Sequence, residues 1–366
     1  MSGSAHHARA GVRLAVPMAA LVLLLSAVAT GMPQQHPEFT IDEDCTAFAF
    51  GPGGKIAFAT RHVYSHHKFV LQRDDFWIAD SGHGKRKILN GDKLDRGEGG
   101  FSYGVRSLRW SAGGTKLAAE VMTGTTAERH GDATVDLQSF LLDTNGQEIK
   151  IADGDSFIPD SQDAAWLDET TVVYLEEATK PRKEFTMWSV HPAEGHAERL
   201  FPDSYFLDAA WMIPSRQALA ITSPAHGARP ELVLLDLTKQ TSKELAPLDG
   251  YAGGLTLSPS GRKVAYFRDP GTLEVRSLSD PRKPQDLQAL MTPFYWTGDE
   301  QHVVMKTDPG PHSSILQVLR LSDANTDNLF NGLTFWNFAI SPDGSVIGVI
   351  PPGKHVIMVY LAPNSG

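Results

Sequence analysis

One pattern of apolar and polar positions recurs along the chain. A short apolar or aromatic strand ends at a four-residue turn, and a β-branched or aliphatic strand follows. It reads FAFGPGGKIAFAT from Phe48, LRWSAGGTKLAAEV from Leu108, AAWLDETTVVYLEE from Ala164 and AAWMIPSRQALAIT from Ala209. It continues as LTLSPSGRKVAYFR from Leu255, FYWTGDEQHVVMKT from Phe294 and FAISPDGSVIGVIP from Phe338. The residue before each turn forms a column: Phe50, Trp110, Trp166, Trp211, Leu257, Trp296 and Ile340. Successive members lie 60, 56, 45, 46, 39 and 44 residues apart. A strand-period unit repeating at roughly 40–50 residues is the signature of a four-stranded propeller blade.

Further strands complete each unit. Third strands are expected at Phe76–Asp80, Ser139–Asp143, Met187–His191, Leu232–Asp236, Leu273–Leu278, Leu316–Leu321 and Val356–Leu361. More polar fourth strands, suited to an exposed edge, are expected at Lys87–Leu89, Gln147–Ile151 and Lys243–Leu245. The last unit ends too soon to have its own fourth strand, whereas Glu38–Ile41 precedes the first unit without a partner. Pairing that segment into the last unit closes a ring and removes an edge. The expected fold is therefore all-β: a seven-bladed β-propeller of four-stranded antiparallel blades. It fills residues 30–366 as one domain, with blades starting near 46, 105, 162, 207, 253, 292 and 336.

The N-terminus changes the picture. Arg9 and Arg13 precede an uncharged run, Leu14–Val28, that ends in Ala27-Val28-Ala29. This is the form of a secretory signal peptide over residues 1–29. The run is short for a bilayer span, although an uncleaved anchor is the rival reading. The sequence thus points to an exported protein, periplasmic or extracellular, with no membrane span after cleavage. A formal charge of −10 disfavours nucleic acid as a partner. The one cysteine, Cys45, cannot form an intramolecular disulfide.

Two turns carry a family resemblance. Ser258-Pro259-Ser260-Gly261 and Ser341-Pro342-Asp343-Gly344, each between short strands, resemble TolB-like (WD40-like, PD40-type) repeats. Asp75–Asp80 followed by Lys85–Leu89 resembles that family's third strand, turn and outer strand. Related repeats form the propeller of dipeptidyl-peptidase-like enzymes, whose hydrolase domain has no counterpart here. The resemblance implies a propeller that binds proteins or peptides.

Candidate chemistry is sparse. Gly100-Phe101-Ser102-Tyr103-Gly104 matches G-x-S-x-G, but that motif needs a strand-to-helix elbow. Here the following VRSLRW reads as strand, so the match is taken as chance and no catalytic residue is assigned. Histidines gather between the second and third strands of their units: His62, His66, His67, His130, His226, His312 and His355. Such loops carry function in scaffolds of this kind. Arg61, His62, His66, His67, Glu128, Arg129 and His130 are accordingly ligand candidates, with no metal or cofactor assigned. Tyr103, Phe157, Tyr205, Tyr251 and Trp336 precede inner strands and are candidates for the channel rim; the Trp column reads as core. The pairs Asp74-Asp75 and Glu176-Glu177 read as solvated loop charges. The expectation is a monomeric, exported, TolB-like scaffold that binds an unidentified protein or peptide. The alternatives are a metal-dependent, lactonase-like small-molecule hydrolase and an accessory propeller for a separate peptidase.

Overall fold

The computed structural model describes residues 37–66, 69–80, 84–93, 100–126, 133–150, 157–159, 161–179, 184–223, 229–310, 313–330, 334–353 and 356–362. Among them regular structure is strand, interrupted by single-turn 3-10 segments. The chain enters through β1 (Phe39–Ile41) and then builds sheets from the inside outward. The first contains β2 (Cys45–Phe50), β3 (Lys55–His66), β4 (Phe69–Asp80) and β5 (Gly84–Leu89). The second contains β6 (Gly100–Trp110), β7 (Lys116–Thr126), β8 (Ala133–Asp143) and β9 (Phe157–Pro159).

The third repeat supplies β10 (Ser161–Trp166), β11 (Val172–Thr179), β12 (Glu184–His191) and β13 (His196–Leu200). The fourth supplies β14 (Phe206–Met212), β15 (Gln217–Thr222), β16 (Glu231–Asp236) and β17 (Thr241–Pro247). Next come β18 (Gly253–Leu257), β19 (Lys263–Asp269), β20 (Thr272–Ser277) and β21 (Gln285–Gln288). They precede β22 (Phe294–Trp296), β23 (His302–Gly310), β24 (Ser313–Arg320) and β25 (Thr326–Asn328). The chain ends with β26 (Asn337–Ile340), β27 (Val346–Ile350) and β28 (Ile357–Leu361).

The blade count expected from the sequence is corrected. The strands do not form seven separate four-stranded blades, but five such blades and one continuous eight-stranded sheet. The merger has a local cause. β13 pairs with β12 only from Met187 to His191, so the start of β12 extends past it, and Phe185 there pairs with Phe206 of β14. The third and fourth repeats thereby share a ladder. A second correction concerns the outer strand of the second sheet, which is Phe157–Pro159 rather than Gln147–Ile151. Glu148 forms an isolated bridge to Leu142.

The two ends of the array meet. β1 lies antiparallel to β28, with Phe39, Thr40 and Ile41 opposite Val359, Met358 and Ile357. Inner strand β26 also touches β2. The core is not one mass but a set of clusters, each shared by two neighbouring repeats. The repeated column explains them. Ala49 packs in one cluster with Trp110, Ala165 with Trp211, Ala210 with Leu257, and Ala339 with Phe50. A small residue just before the column on one inner strand thus receives the large column residue of the next. Indole nitrogens add stitches: Trp110 donates to Ala49 O at 3.2 Å, Trp211 to Asp163 O at 2.8 Å, and Trp296 to Thr256 Oγ1 at 3.1 Å.

The turns joining first and second strands are tied to one another around one face. Lys55 Nζ donates to Gly114 O at 3.3 Å, and Lys116 Nζ to Glu169 O. Lys263 Nζ donates to Glu300 O at 2.9 Å, and Gly298 N to Gly344 O at 3.1 Å. Because neighbouring strands are antiparallel, the second-to-third hairpins and the outer-to-inner connections all emerge on the opposite, loop-bearing face.

Closure depends on one close approach. A Cβ at Gly348 on β27 would lie 2.4 Å from Phe48 Cε2 on β2. Gly348→Ala should therefore cost about 1–3 kcal/mol through overpacking. Gly271→Ala, whose nearest neighbour is an ordinary 3.6 Å away, should cost far less. Urea unfolding of the two variants checks the difference.

Candidate functional site

Inner strands reach the loop face through irregularities. β-Bulges interrupt the pairing of β2, β6, β10, β14 and β18 with their outer neighbours near the ends that face the loops. Bulges re-aim side chains, and here they place polar groups between sheets. Asp163, in the bulge of β10, has a left-handed backbone (φ 54°) and pairs with Arg109 of β6. Asp208, beside the bulge of β14, accepts from its neighbour Ala209 N at 2.8 Å, from Leu255 N of β18 at 3.2 Å and from the Tyr251 hydroxyl. Burial pushes the Asp208 carboxyl up to about 6, and the charge of Asp163 adds to the rise, against the pull of Tyr251. Tyr251 is in turn held neutral by burial and by that carboxylate.

Asp74 does the same work between the first two sheets. It is buried, not solvated as the sequence suggested, and its Oδ2 accepts from Val105 N at 2.8 Å and Thr46 Oγ1 at 2.9 Å. Among the described residues its Oδ1 has no hydrogen-bond partner, and burial raises its pKa. Gly104 makes room: its φ is 137°, and a Cβ there would lie 3.1 Å from Asp74 Oδ2. Asp75 is buried as well, accepting from Lys87 Nζ at 2.6 Å and Gly91 N at 2.9 Å. Both carboxylates are bridges within the fold. Glu176 and Glu177 are half-buried on β11 rather than in a loop.

The proposed histidine cluster is only partly within the described residues. Arg61 and His62 are exposed, but they lie on β3, as does His66, in a long hairpin with β4 rather than an irregular loop. Arg61 stands opposite Asp74, and His62 Nδ1 lies 3.9 Å from Asp75 Oδ2. His67, Glu128, Arg129, His130, His226, His312 and His355 fall outside the described residues. Among the described residues no three His, Cys, Asp or Glu side chains gather to hold a metal ion. The Gly100–Gly104 motif lies wholly within β6, where Ser102 pairs with Thr123 and strand continues to Trp110. The strand-to-helix elbow the motif requires is missing there. Tyr103 lies in the same strand rather than before it.

Tyr205, Tyr251 and Trp336 sit in the β13–β14, β17–β18 and β25–β26 connections of the loop face. Trp336 is 54% exposed and Tyr205 40%, with the Arg199 guanidinium 5.4 Å from the Tyr205 ring. Tyr251 is half-buried by its bond to Asp208. The sequence reading missed Leu290 (77% exposed) and Met291 (51%), which fill the intervening β21–β22 connection. Their signal was positional, since they occupy the stretch that holds the tyrosines in the preceding connections. Tyr295 was missed too; it is 40% exposed yet packs edge-on against Phe338 at 5.0 Å. Four consecutive connections thus carry a crescent of large apolar or aromatic side chains.

Comparison with known structures agrees with this architecture. The β-propeller domain of Myceliophteria thermophila Cps50 (Swd1) is 13% identical, with a TM-score of 0.56 over 90% of this chain and 100% of that one. The Dos1 propeller is 14% identical, with a TM-score of 0.54 over 89% and 95%. The fold is a β-propeller. No family model matches the chain, and no curated protein does. Likeness at this identity carries the fold and nothing of the partner.

The buried carboxylate gives a pH test. An unfolded Asp titrates near 3.9. Between about pH 4 and 6 native Asp208 keeps a proton that the unfolded chain has lost, so its contribution to stability falls as pH rises and levels off above 6. Asp208→Asn removes this term. In urea titrations from acid to neutral pH, the variant should gain on the wild type up to about pH 6 and no further. A pH-independent difference would show that Asp208 titrates normally.

Proposed function

We propose that this protein is an interaction scaffold whose loop-bearing face binds a partner protein or peptide. The observation that carries the reading is the crescent formed by Tyr205, Tyr251, Leu290, Met291 and Trp336 on consecutive connections. Isolated exposed apolar residues are ordinary, whereas a continuous set on one face marks an interaction surface. The opposite face suits this role poorly, because its turns are laced to one another by the Lys and backbone bonds described above. A catalytic role has less support: the buried carboxylates Asp74 and Asp208 bridge neighbouring sheets. The resemblance of the Ser-Pro-Asp-Gly type turns to TolB-like repeats supports the same reading.

The test uses the immobilised protein and a defined control. Trp336→Ala with Met291→Ser should reduce capture of a bound partner at least about tenfold, as expected for central aromatic anchors. Lys283→Glu, on the turn face, should leave capture unchanged. Retention by the first variant and loss by the second would place the interface on the wrong face.

We further propose export, supported by the Arg9 and Arg13 flank, the Leu14–Val28 run and Ala27-Val28-Ala29. No helix among the described residues is long and apolar enough to cross a membrane. N-terminal sequencing of protein recovered from outside the cytoplasm should begin at Thr30. A chain that retains its first residues in the membrane fraction would instead support the anchor reading.

A further inference from the structure

One guanidinium beside the crescent narrows the class of partner, an inference that rests on the scaffold reading. Arg199 lies on outer strand β13, opposite Trp188 of β12. Leu200 enters the core shared with the fourth repeat, so strand alternation turns Arg199 to the other side, beside Trp188. Its guanidinium stands 5.4 Å from the ring of Tyr205, a member of the crescent. Arg199 is half-buried there, and its Nε and Nη2 are shut off from solvent with no hydrogen-bond partner among the described residues. Every other described arginine that is half-buried or buried has a carboxylate: Arg109 has Asp163, Arg268 has Asp286 and Arg276 has Glu274. The acids nearby are engaged elsewhere. Glu198 takes the Gln240 amide at 2.7 Å, and Glu184 takes the Ser223 hydroxyl at 2.6 Å. The Trp188 indole N–H is a donor, held by Thr186 Oγ1 at 2.9 Å, and offers Arg199 nothing.

We infer that Arg199 receives a carboxylate from the partner segment that lies along the crescent, carried either by an Asp or Glu side chain or by a free C-terminus. A planar guanidinium matches a carboxylate with two parallel hydrogen bonds, and one cation balances one such charge, whereas readers of phosphate gather several arginines. Two nitrogens of Arg199 have already lost their water, so an acceptor gains more here than at a solvated surface. Tyr205 is 40% exposed, so a segment lying on its ring runs past the guanidinium, and the long arginine stem lets the fork turn to meet it. Net charge selects nothing at this place. By sequence Lys180, Arg182 and Lys183 lie between β11 and β12, and Asp203 lies before β14, so the surroundings carry both signs. Arg199 differs from them in having given up solvent without gaining a counter-charge.

Labelled peptides of about ten residues test this by fluorescence anisotropy. All hold two Leu and one Trp and are otherwise Ser and Gly. The neutral reference has an amidated end, one series carries a single Glu at each Ser position in turn, and one peptide keeps a free C-terminal carboxylate. The best Glu peptide or the free-end peptide should bind about tenfold tighter than the reference, and whichever does so identifies the source of the carboxylate. Arg199→Gln should erase that preference and leave the reference unaffected. Arg199→Lys, which keeps the charge but loses the fork, should retain only a small part of it. Trp336→Ala with Met291→Ser should weaken every peptide. Without peptide, Arg199→Met should melt no lower than the wild type, because it removes a charge that nothing balances. A melting temperature several degrees lower would show a structural role for Arg199 and overturn the inference. A preference that survives Arg199→Gln also overturns it. Equal binding of acidic and reference peptides, all lost in the Trp336 and Met291 variant, overturns it and leaves the scaffold reading intact. Failure of every peptide to bind sinks both. A phosphoserine peptide that outbinds every carboxylate would assign the guanidinium to phosphate, and a sedimenting dimer that Arg199→Gln separates would assign it to a second copy; either overturns the inference. Asp153 and Asp155 lie outside the described residues, before Ile158, which shares a cluster with Trp188. If Asp153→Asn with Asp155→Asn raises binding of the carboxylate peptides about tenfold, Arg199 belongs to acids of its own chain and the inference is overturned.

Discussion

The structure depends on one contact made again and again: a small residue on one inner strand accepts the large column residue of the next. Ala49 beneath Trp110, Ala165 beneath Trp211 and Ala339 beneath Phe50 are versions of it. A single four-stranded sheet has two faces to bury and cannot do so alone, so each repeat is stable only between neighbours. The last of these contacts joins the end of the chain to its beginning, where Gly348 lets Phe48 approach and β1 adds to β28. With its only cysteine a buried, free thiol, the ring is held by packing and strand pairing rather than by a covalent link.

Buried acids follow from the same geometry. Where inner strands bulge, backbone N–H groups leave the ladder and need acceptors. Asp74 accepts from Val105 and Asp208 from Leu255, so each carboxylate joins one sheet to the next. Burial raises both pKa values, which in another setting would suggest a catalytic acid. Here their partners are main-chain groups and hydroxyls of the scaffold itself. Above them, in the connections of the loop face, Leu290, Met291 and Trp336 stay exposed.

What the sequence determined by itself was the repeat. Column spacing, turn residues and strand-length alternation are local signals, and they located the inner strands, the between-sheet role of the Trp column and the partner of Glu38–Ile41. The place of Tyr205, Tyr251 and Trp336 in loop-face connections was legible for the same reason, because each stands just before an inner strand. Tertiary structure decided the rest. Whether two repeats remain separate depends on how far β13 runs beside β12, and a shortfall at Phe185 joins them to Phe206. Whether Asp74 is solvated depends on the sheet beside it, which no window around Asp74 reveals. Which apolar residues stay uncovered is likewise settled only when neighbouring sheets have taken what they can bury. Periodicity is written along the chain, but burial is a property of what lies across the gap.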